Sequence, residues 1–140
     1  MEELKISPNY LEFSVEGNPV PKARPVTRFK DGGRVRTFIF RTIEAWEAAV
    51  AFAANRAMHG SDPLHGNLAI TLRFYRKDRA ACDLDNLAKA VLDAVQARPD
   101  APFGICFLDD RQIVELHLYK STDRDRPRVE VTVQQIIQED

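Results

Sequence analysis

Between residues 68 and 95 the hydrophobic pattern changes period, and that change constrains the fold more than any other feature of the chain. Leu68, Ile70, Leu72 and Phe74 alternate with Ala69, Thr71, Arg73 and Tyr75, the two-residue period of a strand with one buried face. Leu87, Ala90, Val91, Ala94 and Val95 then recur at i, i+3, i+4, i+7 and i+8, which predicts an amphipathic helix. Its opposite face carries Asn86, Lys89, Asp93 and Gln96.

The rest of the chain supplies partners for these two elements. Leu11, Phe13 and Val15 alternate with Glu12, Ser14 and Glu16 and predict a first strand. Gly17, Pro19, Pro21 and Pro25 then impose an extended, stiff segment. Residues 27–29 and 34–39 flank Lys30-Asp31-Gly32-Gly33, the pattern of a hairpin with basic arms. Thr42 is placed to cap a helix in which Ile43, Trp46, Val50, Ala53 or Ala54, and Ala57 share a face, ending near His59-Gly60. Glu44 and Glu47 would lie near its first turn, where the helix dipole favours acids whatever the function. Arg98 to Pro102 ends the second helix; residues 113–119 predict a strand with Val114, Leu116 and Leu118 on one side, and Val129, Val131 and Val133 a last one. The expected architecture is α+β: one domain over residues 1–140, a mixed sheet covered by two helices.

Composition sets the class. At 44% hydrophobic and 29% charged, 140 residues are enough for one core, and no apolar run reaches the roughly 18 residues that a membrane span needs. The acidic start, Met1 to Lys5, has no signal-peptide core, and Cys82 and Cys106 show no zinc spacing, so a cytoplasmic protein with reduced thiols is expected. The net charge of −1 is unevenly spread: between Val20 and Arg41 stand seven basic residues against Asp31, a local balance of +6 that leaves −7 for the remainder. Lys22, Arg24, Arg28, Lys30, Arg34 and Arg36 form this basic arm, and Arg76, Lys77 and Arg79 form a second basic stretch. Either can hold a nucleic-acid backbone beside an acidic body; a solvated, ordinarily charged loop would read the same way by composition alone.

The acidic body has a focus. Asp83-Leu84-Asp85-Asn86-Leu87-Ala88-Lys89 opens the second helix, and Leu108-Asp109-Asp110 precedes a strand. Carboxylates at this density repel one another unless a cation sits among them, and a few aspartates with an open side suit Mg²⁺. An isolated Asp-x-Asp at a helix start is usually a cap, and Lys89 could be only an intrahelical partner of Asp85 or Asp93. Near a scissile phosphate, Lys89 could instead neutralise developing charge. The segment lacks the glycine and terminal acid of a calcium loop, with Ala88 and Ala94 at those places. Gly-rich phosphate loops, nucleophile elbows and H-E-x-x-H are absent, and His59, His65 and His117 are scattered.

Residues 83–89, the following Ala90-Val91-Leu92-Asp93-Ala94, and residues 108–114 resemble the signature of RusA-type Holliday-junction resolvases, small Mg²⁺-dependent endonucleases often carried by prophages. Pro19 to Pro25 is similar to the proline-rich basic segment near the start of many relatives, and the resemblance spans roughly Leu11 to Val133. It implies Asp83, Asp85 and Asp110 as metal-binding carboxylates, Lys89 as catalytic lysine, and Asp109 as the weaker member of its pair. It further implies Mg²⁺, with Mn²⁺ as a substitute, four-way-junction DNA as substrate, a homodimer, and a role in recombination and repair. The connection 96–107 departs from the family in being longer, with two prolines. The competing expectations are a branched-DNA-binding module without catalysis and a metal-dependent nucleotide phosphohydrolase; the size of the basic arm argues against the latter.

Overall fold

The period change at residues 68–95 is realised as a strand, a helix and a return to the same sheet. In the computed structural model, which describes residues 9–22, 34–96 and 104–136, β1 (Tyr10–Glu16) is followed by α1 (Arg34–Met58), β2 (Leu68–Arg76) and α2 (Leu84–Val95). A 3₁₀ turn (Asp110–Gln112), β3 (Ile113–Thr122) and β4 (Arg128–Gln135) complete the order. The four strands form one sheet in the order β1-β4-β2-β3, with β4 antiparallel to both neighbours and β2 parallel to β3. This is the expected α+β arrangement, a mixed sheet with two helices. Parallel neighbours cannot be joined by a tight turn, so α2 serves as the crossover and runs back along the sheet between them.

One face of the sheet is apolar because each strand alternates. Leu11, Phe13 and Val15 from β1, Val129, Val131 and Val133 from β4, and Leu68, Ile70, Leu72 and Phe74 from β2 are all buried. Register aligns them in rows across the sheet, such as Phe13, Val131 and Leu72. Trp46, Val50 and Ala54 of α1 and Leu87, Ala90, Val91, Ala94 and Val95 of α2 bury against this face, as the 3.6-residue spacing requires. No polar or charged residue among those described is buried. On the opposite face Arg128 lies over the Tyr75 ring at 4.0 Å and pairs with Asp123 and Glu130. No described helix is long and apolar enough to cross a membrane.

Three sequence expectations are corrected. Residues 34–39 are not a hairpin arm but the opening turns of α1, and the other arm with its turn, 27–33, lies outside the described residues. As letters, Arg34 to Ile39 satisfies both periods. Thr42 is therefore interior to the helix and does not cap it, and Glu44 and Glu47 lie turns away from its positive end. In β3, a register shift pairs Leu68 with Ile113 and Ala69 with Glu115, leaving Val114 as an extra residue. Ile113, Leu116 and Leu118 thus follow the buried row of β2, while Val114 is 52% exposed.

The end of α1 was legible: His59 and Gly60 both take positive φ, and the Ser61 N–H donates to the Met58 carbonyl at 2.8 Å. Gly17, with φ +116, turns the chain out of β1 beside the Trp46 ring. Packing on the sheet predicts a sharp contrast in stability. Phe74→Ala should cost about 3–5 kcal/mol in urea unfolding, because its side chain is enclosed on all sides. Phe52→Ala, on the outer face of α1 and 65% exposed, should stay within about 0.5 kcal/mol.

Candidate active site

The loop after β2 delivers Asp83 and Asp85 to the N-terminal mouth of α2. Asp83 occupies the N-cap position with extended backbone, yet its side chain makes no cap hydrogen bond. Its Oδ2 accepts from the Asn86 side-chain amide at 3.4 Å, and Asp85 Oδ1 accepts from the Asn86 backbone N–H at 3.0 Å. Asn86 thus holds two exposed carboxylates side by side, both at the positive end of the helix. Hard, exposed oxygens of this kind fit a divalent cation that keeps part of its water shell.

The polar face of α2 continues with Lys89 and Asp93. Lys89 is 63% exposed and stands 3.9 Å from Asp93, one turn further along. Asp93 is shared with Lys22, whose Nζ lies 3.3 Å from it and 2.7 Å from Glu47 of α1. The Lys22 backbone N–H also donates to the Asn86 carbonyl at 2.9 Å, so the root of the basic arm is fastened to the turn that carries the aspartates. Lys22, expected from its charge pattern to face DNA, is engaged by two carboxylates of the protein. Glu47, read from sequence as an ordinary helix-start acid, is only 14% exposed and is the nearer of the two. Its place in the middle of a longer α1 would have identified it.

Asp109 and Asp110 have separate duties. Asp109 caps the 3₁₀ turn: Oδ1 accepts from the Arg111 N–H at 2.8 Å, and Oδ2 pairs with the Arg111 guanidinium at 2.8 Å. These hydrogen bonds from Arg111 hold its pKa down at about 2. Gln112 closes the box, its Oε1 accepting from the N–H groups of Leu108 and Asp109 and its Nε2 donating to the carbonyls of Leu64 and Gly66. The side chain of Asp110 is exposed, and its N–H donates to Gln96 Oε1 at 3.1 Å; Gln96 in turn donates to Asp93. Gln96 follows the last residue of α2, so the two acidic motifs stand at opposite ends of a 12-residue helix, about 18 Å long. One chain does not bring Asp110 to Asp83 and Asp85, and among the described residues no three acidic, histidine or cysteine side chains gather to hold a metal.

Of the basic residues expected at DNA, Arg24, Arg28 and Lys30 lie outside the described residues. Arg34 and Arg36 belong to the first turns of α1, which contain no acid. Arg76 ends β2, and Lys77 and Arg79 are exposed on the loop leading to Asp83. Burial pushes the Cys106 thiol up to about 12, so it is an inert core residue.

The Lys22 contacts predict a pH-dependent contribution to stability. Desolvation lowers its pKa, but the Glu47 hydrogen bond and the charges of Glu47 and Asp93 outweigh this and leave it above the ordinary lysine value. A raised folded-state pKa stabilises fully below the unfolded value and is lost as pH climbs through the folded one. Lys22→Ala should therefore lose up to about 1 kcal/mol at pH 8, and urea titrations should show the gap to the parent closing above roughly pH 10.4.

A family model described as Endodeoxyribonuclease RusA matches residues 16–134. No curated protein matches the sequence. The matched span runs from the end of β1 almost to the end of β4 and takes in both helices and both acidic motifs, so the chain belongs to the RusA endodeoxyribonuclease family.

Proposed function

We propose that the protein is a homodimeric, Mg²⁺-dependent resolvase that nicks four-way-junction DNA at two symmetry-related strands, in recombination and repair in the cytoplasm. The observation that carries this reading is the family match over residues 16–134, joined to an Asp83–Asp85 pair presented on one exposed helix mouth with Lys89 a turn beyond. Asp83, Asp85 and Asp110 are the carboxylates that would hold the cation, which supplies electrophilic stabilisation of the charge developing on the phosphodiester. Lys89 Nζ, on the same polar face and four residues after Asp85, offers a fixed positive charge to a phosphoryl oxygen. Asn86 orients both aspartates, and Lys22 occupies Asp93 so that Lys89 is not its sole cation.

Dimerisation answers the separation of the motifs. If two copies pack about a two-fold axis, Asp110 of one protomer can face Asp83 and Asp85 of its partner, and two equivalent sites result. β3 is the natural candidate for that contact: it is an edge strand of ten residues, and Leu116, Val114 and Tyr119 on it are exposed. Arg34 and Arg36, in the first turns of α1, would add their charge to the positive helix end that favours a phosphate backbone.

The decisive assay is incision of a synthetic four-way junction against duplex and free nucleotides, with and without Mg²⁺. Asp85→Asn and Asp110→Asn should each abolish nicking while junction binding persists. Mixing the two inactive variants should restore nicking if sites are shared, since one site in each heterodimer then receives only native carboxylates. Continued inactivity of the mixture, with heterodimers verified by differential tagging, would return all three aspartates to one chain.

A further inference from the structure

We propose that the carboxyl edge of the β2–β3 pair holds a binding pocket for a backbone phosphate of DNA, built by Arg76, Arg79, Lys120, Ser121 and Thr122; its ligand rests on the nuclease reading above. Parallel pairing sets Arg76 opposite Thr122, Tyr75 opposite Ser121 and Phe74 opposite Lys120. Those last residues and the loop 78–80 enclose a cavity of about 140 Å³. The space holds several waters, which a phosphate group could displace. Ligands of sheets with parallel strands collect at this end, beyond the strand C-termini.

The chemistry of the lining is that of an oxyanion site. Three cations meet one acid, Asp78, whose Oδ1 already accepts from the Ala80 N–H at 3.0 Å. Arg76, Arg79 and Lys120 make no ion pair with a carboxylate among the described residues. The Nε of Arg76 is shielded from solvent without a hydrogen-bond partner, and one of its terminal nitrogens makes only a long 3.4 Å contact to the Ala80 carbonyl. The shielded Nε is out of reach of a ligand, but the terminal nitrogens of Arg76 are only weakly engaged, and a phosphate oxygen is the acceptor that a guanidinium suits best. Lys120 Nζ donates to the Cys82 carbonyl at 2.6 Å, which uses one of its three hydrogens and ties the pocket to the residue before Asp83. An occupant would therefore sit beside the acidic mouth of α2, as the neighbour of a scissile phosphate must.

Lys120 is the discriminating position, since it is exposed and its loss leaves the core intact. In an Asp85→Asn background that binds without cutting, Lys120→Ala should weaken junction and duplex alike by about fivefold and flatten the plot of log K against log salt by roughly one unit. Arg126→Ala, whose guanidinium pairs with Glu16, should leave affinity and slope unchanged. Inorganic phosphate should produce saturable amide shifts at Ala80, Ser121 and Thr122 that vanish in Lys120→Ala. Native affinity and slope in Lys120→Ala, with a parent that binds junctions, overturn the pocket and leave the nuclease reading standing. Phosphate shifts in a parent that binds no DNA would instead retain an anion pocket and remove DNA as its ligand.

Discussion

Parallel pairing of β2 with β3 is the constraint on which the rest of this structure depends. Two parallel neighbours begin at one edge of the sheet and end at the other, so the chain must travel back before it can start β3. α2 makes that journey. Asp83 and Asp85, at its start, are consequently left at the carboxyl edge, and Asp110, which follows it, at the amino edge. The same pairing stacks Arg76 against Thr122 and gathers cations beside the Asp83 loop. A hairpin in place of the crossover would have put both acidic motifs at one end and removed the edge where the basic residues collect.

The polar face of α2 is an alternation of charge that neither sign could sustain alone. Asp85, Lys89 and Asp93 follow one another at four-residue intervals, and Lys22 and Glu47 arrive from the arm and from α1 to complete the sequence. An exposed ion pair contributes little, but Glu47 is largely desolvated, and a carboxylate in that position needs a cation at hydrogen-bond distance. Lys22 supplies it while its backbone N–H holds the Asn86 turn. The basic arm is thereby anchored at its root to the element that carries the candidate chemistry, which couples the position of the arm to that of the aspartates.

Legibility in the sequence follows how local each signal is. β1, β2, β4 and the stripe of α2 were readable because their apolar periods are set within one element and the core merely enforces them. Residues 34–39 were not, because six residues fit both periods and only the docking of a long α1 on the sheet decides between them. Val114 was assigned to the wrong row because a bulge is a property of two strands, and β3 alone shows only alternation. Asp109 and Asp110 are indistinguishable as letters; the Arg111 guanidinium and the Gln112 amide commit the first to the turn.

The sequence by itself determined β1, β2, β4 and α2, the one-sided core, the acidic and basic motifs, and through them the family. Tertiary structure decided which of those charged groups meet. It gave Lys22 to Glu47 and Asp93, set Lys120 at the Cys82 carbonyl, and parted Asp110 from Asp83 and Asp85 by the length of a helix. The physical reason is that hydrophobic periodicity repeats within a few residues of chain, whereas electrostatic partnership depends on distance in space, and strand direction and register fix that distance only once the sheet has formed.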